Sequence, residues 1–181
     1  MNRSRKLILV SHCLLNSNSK VEGLSEYKGV LKEFFEWAFK NDVGIIQLPC
    51  PEMSIYGINR WGHVKEQFDT MHFRKMSRKM LMPIVEQVKN YKENDYKIIG
   101  VLGVDGSPSC GVNKTCSSKT WKGELSGNEE LDLMLKDIRL IDEAGVFMEE
   151  LKKILKEESI NLNFYAIDET CPNQSIEQII K

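Results

Sequence analysis

Five cysteines, Cys13, Cys50, Cys110, Cys116 and Cys171, are the residues with the most chemistry to offer. None forms a Cys-x-x-Cys pair, which removes the thioredoxin-type redox motif and the common zinc-ribbon pattern. An odd number of widely spaced thiols also argues against a disulfide framework. A free cysteine is most often a small buried hydrophobe, yet prolines, glycines, serines and acids flank these. Pro49-Cys50-Pro51-Glu52 sets a thiol and a carboxylate two residues apart on a proline-fixed turn. Asp105-Gly106-Ser107-Pro108-Ser109-Cys110-Gly111 puts an acid and two hydroxyls beside another thiol. By composition alone this second motif is equally a plain turn, because these are the usual turn formers. Thiolates gathered without histidine partners suit iron–sulfur chemistry or zinc. Three of them on a four-iron cluster leave one iron open to substrate.

Such thiols are far apart in the chain, so the fold must bring them together. Short apolar runs at Lys6–Ser11, Val43–Leu48, Tyr96–Val104 and Leu162–Ile167 read as buried strands. Helical periodicity predicts helices over Leu24–Lys40, Val64–Tyr91, Asn128–Ile141, Val146–Lys156 and Ser175–Ile180, with Pro83 kinking or splitting the second. Asp105 to Gly127 reads as a polar, glycine-rich loop. The alternation predicts an α/β fold: a single Rossmann-like domain over residues 1–181, with a mostly parallel sheet of four to five strands and helices on both faces. In such a sheet the loops beyond the carboxyl ends of the strands converge on one crevice. Cys13, Cys50, Cys110 and Cys171 each lie just past a successive strand, and Cys116 follows Cys110 closely. The Gly-x-Gly-x-x-Gly fingerprint is missing after the first strand, which argues against bound NAD or FAD.

Composition narrows the function classes. With 181 residues, 41% apolar and 28% charged, the chain has the make-up of a soluble globular domain and not of a disordered one. A net charge of −1 makes stable nucleic-acid binding an unlikely role. No apolar run suits a membrane span, and Leu7–Val10 is too short for a signal-peptide core, so a cytoplasmic protein is expected. The stripe Arg74, Lys75, Arg78 and Lys79 reads as the solvated face of its helix.

Ser11-His12-Cys13-Leu14-Leu15-Asn16, Pro49-Cys50-Pro51-Glu52 and Ser107-Pro108-Ser109-Cys110-Gly111, in this order, resemble the thiouracil desulfidase family over most of the chain. The resemblance implies an α/β fold carrying an oxygen-sensitive 4Fe-4S cluster, with Cys13, Cys50 and Cys110 as its ligands. It implies removal of sulfur from a small thiolated pyrimidine base or nucleoside, converting C=S to C=O. Glu52, Ser107 and Ser109 would lie beside the substrate. The sequence departs from the family on the substrate side. Asn18–Gly23 replaces a Tyr-Asp-Gly segment, Gly103–Gly106 replaces a basic lead, and Met53–Gly62 replaces a Gly-Leu-Pro-Thr-Pro-Arg type of run, with Arg60 corresponding to its arginine.

On this reading Glu52 activates the attacking water, with Asp105 a rival base, and Ser107 or Ser109 holds the substrate or orients the nucleophile. Tyr56, Trp61 and Trp121 are candidates to stack on an aromatic ring, although core packing is the commoner fate of such residues. His12, His63 and His72 have no metal role, and His12 adjoins a ligand it would tune. Two other classes stay open: a metal or redox sensor without turnover, and a cluster-free nucleoside-processing enzyme using Glu52 or Asp105.

Overall fold

The computed structural model describes residues 2–180. The first apolar run forms β1 (Lys6–Val10), followed by the short helix α1 (His12–Leu15) and one 3-10 turn, Ser17–Ser19. The chain continues through α2 (Lys32–Lys40), β2 (Gly44–Gln47), α3 (Pro51–Tyr56), α4 (Lys65–Phe68) and α5 (Met71–Glu93). β3 (Lys97–Val104), β4 (Thr115–Ser117), α6 (Leu131–Asp137) and β5 (Arg139–Ile141) follow. α7 (Val146–Glu157), β6 (Phe164–Ile167) and α8 (Pro172–Ile180) complete the described chain. None of its helices is long and apolar enough to cross a membrane.

β1, β2, β3 and β6 pair in parallel in the order β2-β1-β3-β6, as a Rossmann-like α/β sheet. Alternate side chains of each strand enter opposite cores. Leu9 and Val101 pack with Leu81, Val85, Phe147 and Leu151 of α5 and α7 on one face. Ile8, Val10 and Leu102 pack with Phe34 of α2 and Ile176 of α8 on the other. The order reverses at β1, so the crevice past β1 and β3 is the topological switch point.

Four expectations need correction. Leu24 to Leu31 is not helical, and α2 begins only at Lys32. That stretch bonds to the segment after β1 instead: Ser17 N–H donates to the Gly29 carbonyl at 2.7 Å, and Leu31 N–H to the Leu14 carbonyl at 2.9 Å. Long-range bonds, with Gly29 at φ 76°, displace a helix that glycine already weakens. The break in the second predicted helix falls at Asp69-Thr70, and α5 runs on through Pro83. Pro83 and Lys79 lie on the exposed side, where water can serve the carbonyl that loses its donor. The helix expected over Asn128–Ile141 shrinks to Leu131–Asp137, because Arg139–Ile141 pairs antiparallel with β4 inside the supposed loop. Finally, Arg74 and Arg78 are not a solvated stripe. Arg74 binds Asp69, Glu149 and Glu150, and Arg78 binds Glu157, joining α5 to α7. Lys75 and Lys79 remain exposed as expected.

The loop carrying Cys110 is packed without spare volume. A Cβ on Gly145, at the start of α7, would lie 2.5 Å from the Ser109 carbonyl carbon and oxygen, and one on Gly103 2.5 Å from the Cys110 carbonyl oxygen. Gly145→Ala is therefore expected to cost about 1–3 kcal/mol, since the opposing atoms are backbone. That corresponds to a melting temperature lower by roughly 3–10 °C. Gly44→Ala, whose Cβ would crowd only the end of the Leu7 side chain at 2.8 Å and meet the Lys6 carbonyl at an ordinary 3.5 Å, is expected to cost less in the same thermal melts.

Candidate functional site

The carboxyl ends of the strands open into a cavity of about 250 Å³. Each strand delivers a side chain to it. Cys13 comes from α1 just past β1, Cys50 and Glu52 from the turn after β2, Ser107, Ser109 and Cys110 from the loop after β3, and Glu169 from the turn after β6. Cys116 of β4 also lines it, whereas Cys171 does not. The strand-end address brings Cys13, Cys50 and Cys110 to this rim, whereas Cys171, immediately before α8 begins at Pro172, stays outside it.

Cys50 caps α3. Pro51 occupies the first helical position, where no N–H is missed, and the Cys50 sulfur accepts the Met53 N–H at 3.4 Å. Glu52 follows, buried, and is clamped from both sides. Its Oε1 accepts the Ser109 hydroxyl at 2.6 Å, and its Oε2 accepts Arg60 Nε–H at 3.2 Å. Arg60 is anchored in turn on the Ser19 and Gly57 carbonyls, at 2.7 and 3.2 Å. Its side chain is only 3% exposed, so this pair belongs to the interior and is not a screened surface contact.

Ser107 Oγ accepts the Cys110 N–H at 3.0 Å and the Ser109 N–H at 3.3 Å, and lies 3.3 Å from Ser109 Oγ. A continuous path of hydroxyls thus runs from Ser107 through Ser109 to Glu52. Ser109 Oγ is also 3.6 Å from the Cys110 sulfur, but its single proton goes to the shorter contact with Glu52. Asp105 lines the cavity too, yet its Oδ1 accepts the backbone N–H groups of Val112, Asn113 and Lys114 at 2.9–3.2 Å. It closes the loop that holds Cys110.

The three thiols act on one another. Burial, then Cys110, Glu169 and Cys50, raise the pKa of Cys13. Burial and then Cys50 push Cys110 up to about 12, partly offset by the Ser109 hydroxyl. Burial raises Cys50, against the pull of the Met53 N–H. Burial alone is the leading cause at Cys116, which rises to about 11. Three thiolates could occupy this rim together only with positive charge among them, the role a bound metal plays when it inverts the local acid–base order. Among the described residues no three Cys, His, Asp or Glu side chains close around a single ion. The donor set fits a larger group: sulfur ligands on separate turns, a backbone N–H on Cys50, and the Ser11 hydroxyl near Cys110, buried and without a partner in hydrogen-bond geometry among the described residues.

Tyr56, Trp61 and Trp121 do not line the cavity. Trp61 is 76% exposed, Tyr56 is partly exposed over His63 and Phe68, and Trp121 donates Nε1–H to the Gly62 carbonyl at 3.0 Å, tying the β4 segment to the rim. Two of the histidines, by contrast, do reach it. His12 lies between the Gln47 and Asn16 side-chain amides, while His63 leaves Nδ1 buried without a hydrogen-bond partner among the described residues. Burial lowers the pKa of both, keeping neutral imidazoles at the site. His72 is exposed on α5, remote from the cavity. Lys20, Arg60, His63 and Glu169 are the lining residues to which sequence reasoning assigned no role beyond a correspondence for Arg60. Glu169 lies directly past β6, so the strand-end rule that singled out Cys171 points to it as well.

Residues 5–165 match the family described as "Putative 2-thiouracil desulfurase". The uncharacterized protein MJ0003 of Methanocaldococcus jannaschii is 35% identical over 159 residues, covering 85% of this chain and 99% of that protein. No solved structure matches.

The segment that Trp121 ties down is organised by Asp137, whose Oδ2 accepts the Ser118 hydroxyl at 2.7 Å and the Lys119 N–H at 2.9 Å. The Ser118 hydroxyl first, then these N–H and Thr120 contacts, hold Asp137 down to about 2. A depressed carboxylate stabilises the fold above its unfolded pKa near 4 and loses that contribution as pH falls towards 2. Urea denaturation between pH 5 and pH 2 should therefore show the wild type's advantage over Asp137→Asn shrinking as pH falls.

Proposed function

This chain belongs to the "Putative 2-thiouracil desulfurase" family, and on that premise we propose that it is an iron–sulfur-dependent desulfurase acting on a small thiolated pyrimidine. The observation that carries this reading is one cavity lined by three thiols and by a buried, clamped carboxylate on a hydroxyl path. A sensor needs the thiols alone. The Ser107–Ser109–Glu52 array is what a reaction with proton transfer requires.

Cys13, Cys50 and Cys110 would hold a 4Fe-4S group. When bound through only three thiolates, such a group supplies a soft iron able to accept sulfur. The remaining work falls to the chain. Exchange of C=S for C=O consumes water and yields hydrogen sulfide, so both protons of the attacking water must leave its oxygen and end on the departing sulfur. Glu52 takes the first at Oε1, directly or through the Ser109 hydroxyl at 2.6 Å, and returns it to the sulfur, and the second follows the same route as the C=O bond forms. Arg60 fixes the carboxylate through Oε2 and balances its charge. Ser107 Oγ accepts two backbone N–H groups, so its own proton is available to Ser109 or to the substrate. Asp105 positions the Cys110 loop and takes no part in proton transfer.

Protein purified without oxygen should carry iron and release sulfide from 2-thiouracil. Cys13→Ser, Cys50→Ser and Cys110→Ser should lose the iron, whereas Cys171→Ser should keep it. Glu52→Gln should keep the iron and lower kcat by roughly 10²–10⁴-fold. Asp105→Asn should lower the melting temperature with a smaller loss of kcat. Iron-loaded protein that releases no sulfide from any thiolated pyrimidine would overturn the reading in favour of sensing.

A further inference from the structure

Besides Asp105, which is taken up by the Cys110 loop, two carboxylates line the cavity, and they stand at opposite ends of the sheet: Glu52 after β2 and Glu169 after β6, with the Cys13 and Cys110 turns between them. Each gives one oxygen to a cation. Glu52 Oε2 meets Arg60 at 3.2 Å, and Glu169 Oε2 meets Lys20 Nζ at 2.5 Å, in a pair whose side chains are each 12% exposed. Their second oxygens differ. Glu52 Oε1 is taken by Ser109, while Glu169 Oε1 is buried without a hydrogen-bond partner among the described residues.

The Tyr27 hydroxyl is within reach of Glu169, but its single proton is directed to the Cys13 carbonyl at 3.0 Å. Buried acceptors without donors are rare because water has been stripped from them with nothing in return. A carboxylate is an acceptor only, so it is complementary to an N–H. A thiolated pyrimidine carries ring N–H groups beside its C=S carbon. Glu52 follows one edge strand and Glu169 the other, so the two acids line the cavity from opposite ends of the sheet.

We propose that Glu169 reads a ring N–H of the thiolated pyrimidine through its unpartnered Oε1, and so sets which ring edge enters the cavity, while Lys20 holds it in position. This rests on the desulfurase reading and extends it to a residue beyond the family match, which ends at residue 165. Glu169 is thereby a recognition residue and Glu52 the proton carrier.

The test uses iron-loaded full-length protein, with uracil as a non-reacting ligand in calorimetry and 2-thiouracil in turnover. Glu169→Gln should weaken uracil binding and raise KM by roughly 10- to 100-fold, the worth of a charge-assisted hydrogen bond, with kcat within about threefold. Glu52→Gln should show the reverse split. On the wild type, 1-methyluracil and 3-methyluracil provide a readout independent of any variant. The isomer whose methyl replaces the N–H read by Glu169 should bind at least tenfold more weakly than the other, and Glu169→Gln, which keeps only a neutral amide acceptor, should shrink that difference. Wild-type protein that binds both methyl isomers and uracil alike would overturn the assignment of Glu169, as would unchanged uracil binding in Glu169→Gln, and the desulfurase reading would stand. Wild-type protein that neither binds uracil nor releases sulfide would overturn the desulfurase reading and this inference with it.

Discussion

The hydrogen bond from the Ser109 hydroxyl to Glu52, at 2.6 Å, joins two turns that carry cysteines and come from different strands. Loops beyond strand ends are held by what they touch, and this bond is a direct link between the two. With Arg60 on the far oxygen, the carboxylate has little freedom left and ties α3 to the Cys110 loop. A buried acid paired on both sides is costly to break, since removing either partner leaves a charge or a hydroxyl stranded. The relative position of the Cys50 and Cys110 sulfurs therefore depends on a polar contact in addition to the apolar packing around Cys110.

The same loop is braced from below by close backbone contact. Gly103 and Gly145 admit the Ser109–Cys110 backbone where no Cβ could sit, and Asp105 gathers the N–H groups of residues 112–114. Rigid support of this kind matters for a site whose thiols repel one another once ionised. Without it, burial and repulsion would be relieved by moving the turns apart. The result is a preorganised rim with two acid–cation pairs beside it, one closed by a serine and one with an oxygen left over.

Much of the architecture was legible in the chain. The strand runs, the carboxyl-end convergence and the two cysteine motifs led to the observed cavity, because a parallel sheet allows few places for loops after its strands. The misses share a cause. Residues 24–31 and 139–141 have local patterns suited to a helix, but they bond to partners distant in sequence, at Leu14 and Ser17 and at β4. Arg74 and Arg78 likewise look solvated until α7 presents Glu149, Glu150 and Glu157 to them. Periodicity records the faces of an element and says nothing of a partner across the fold.

Residue type and motif order by themselves determined the class of fold, the family and the kinds of donor at the site: thiols, hydroxyls and a carboxylate after successive strands. Those follow from local preference and from the few topologies a parallel sheet permits. Tertiary structure alone decided that Cys116 lines the cavity and Cys171 does not, that Asp105 serves the loop, and that Glu169 keeps an oxygen without a donor. Each of these outcomes depends on which distant groups meet in a water-poor space, where one satisfied or unsatisfied hydrogen bond changes what a side chain can do.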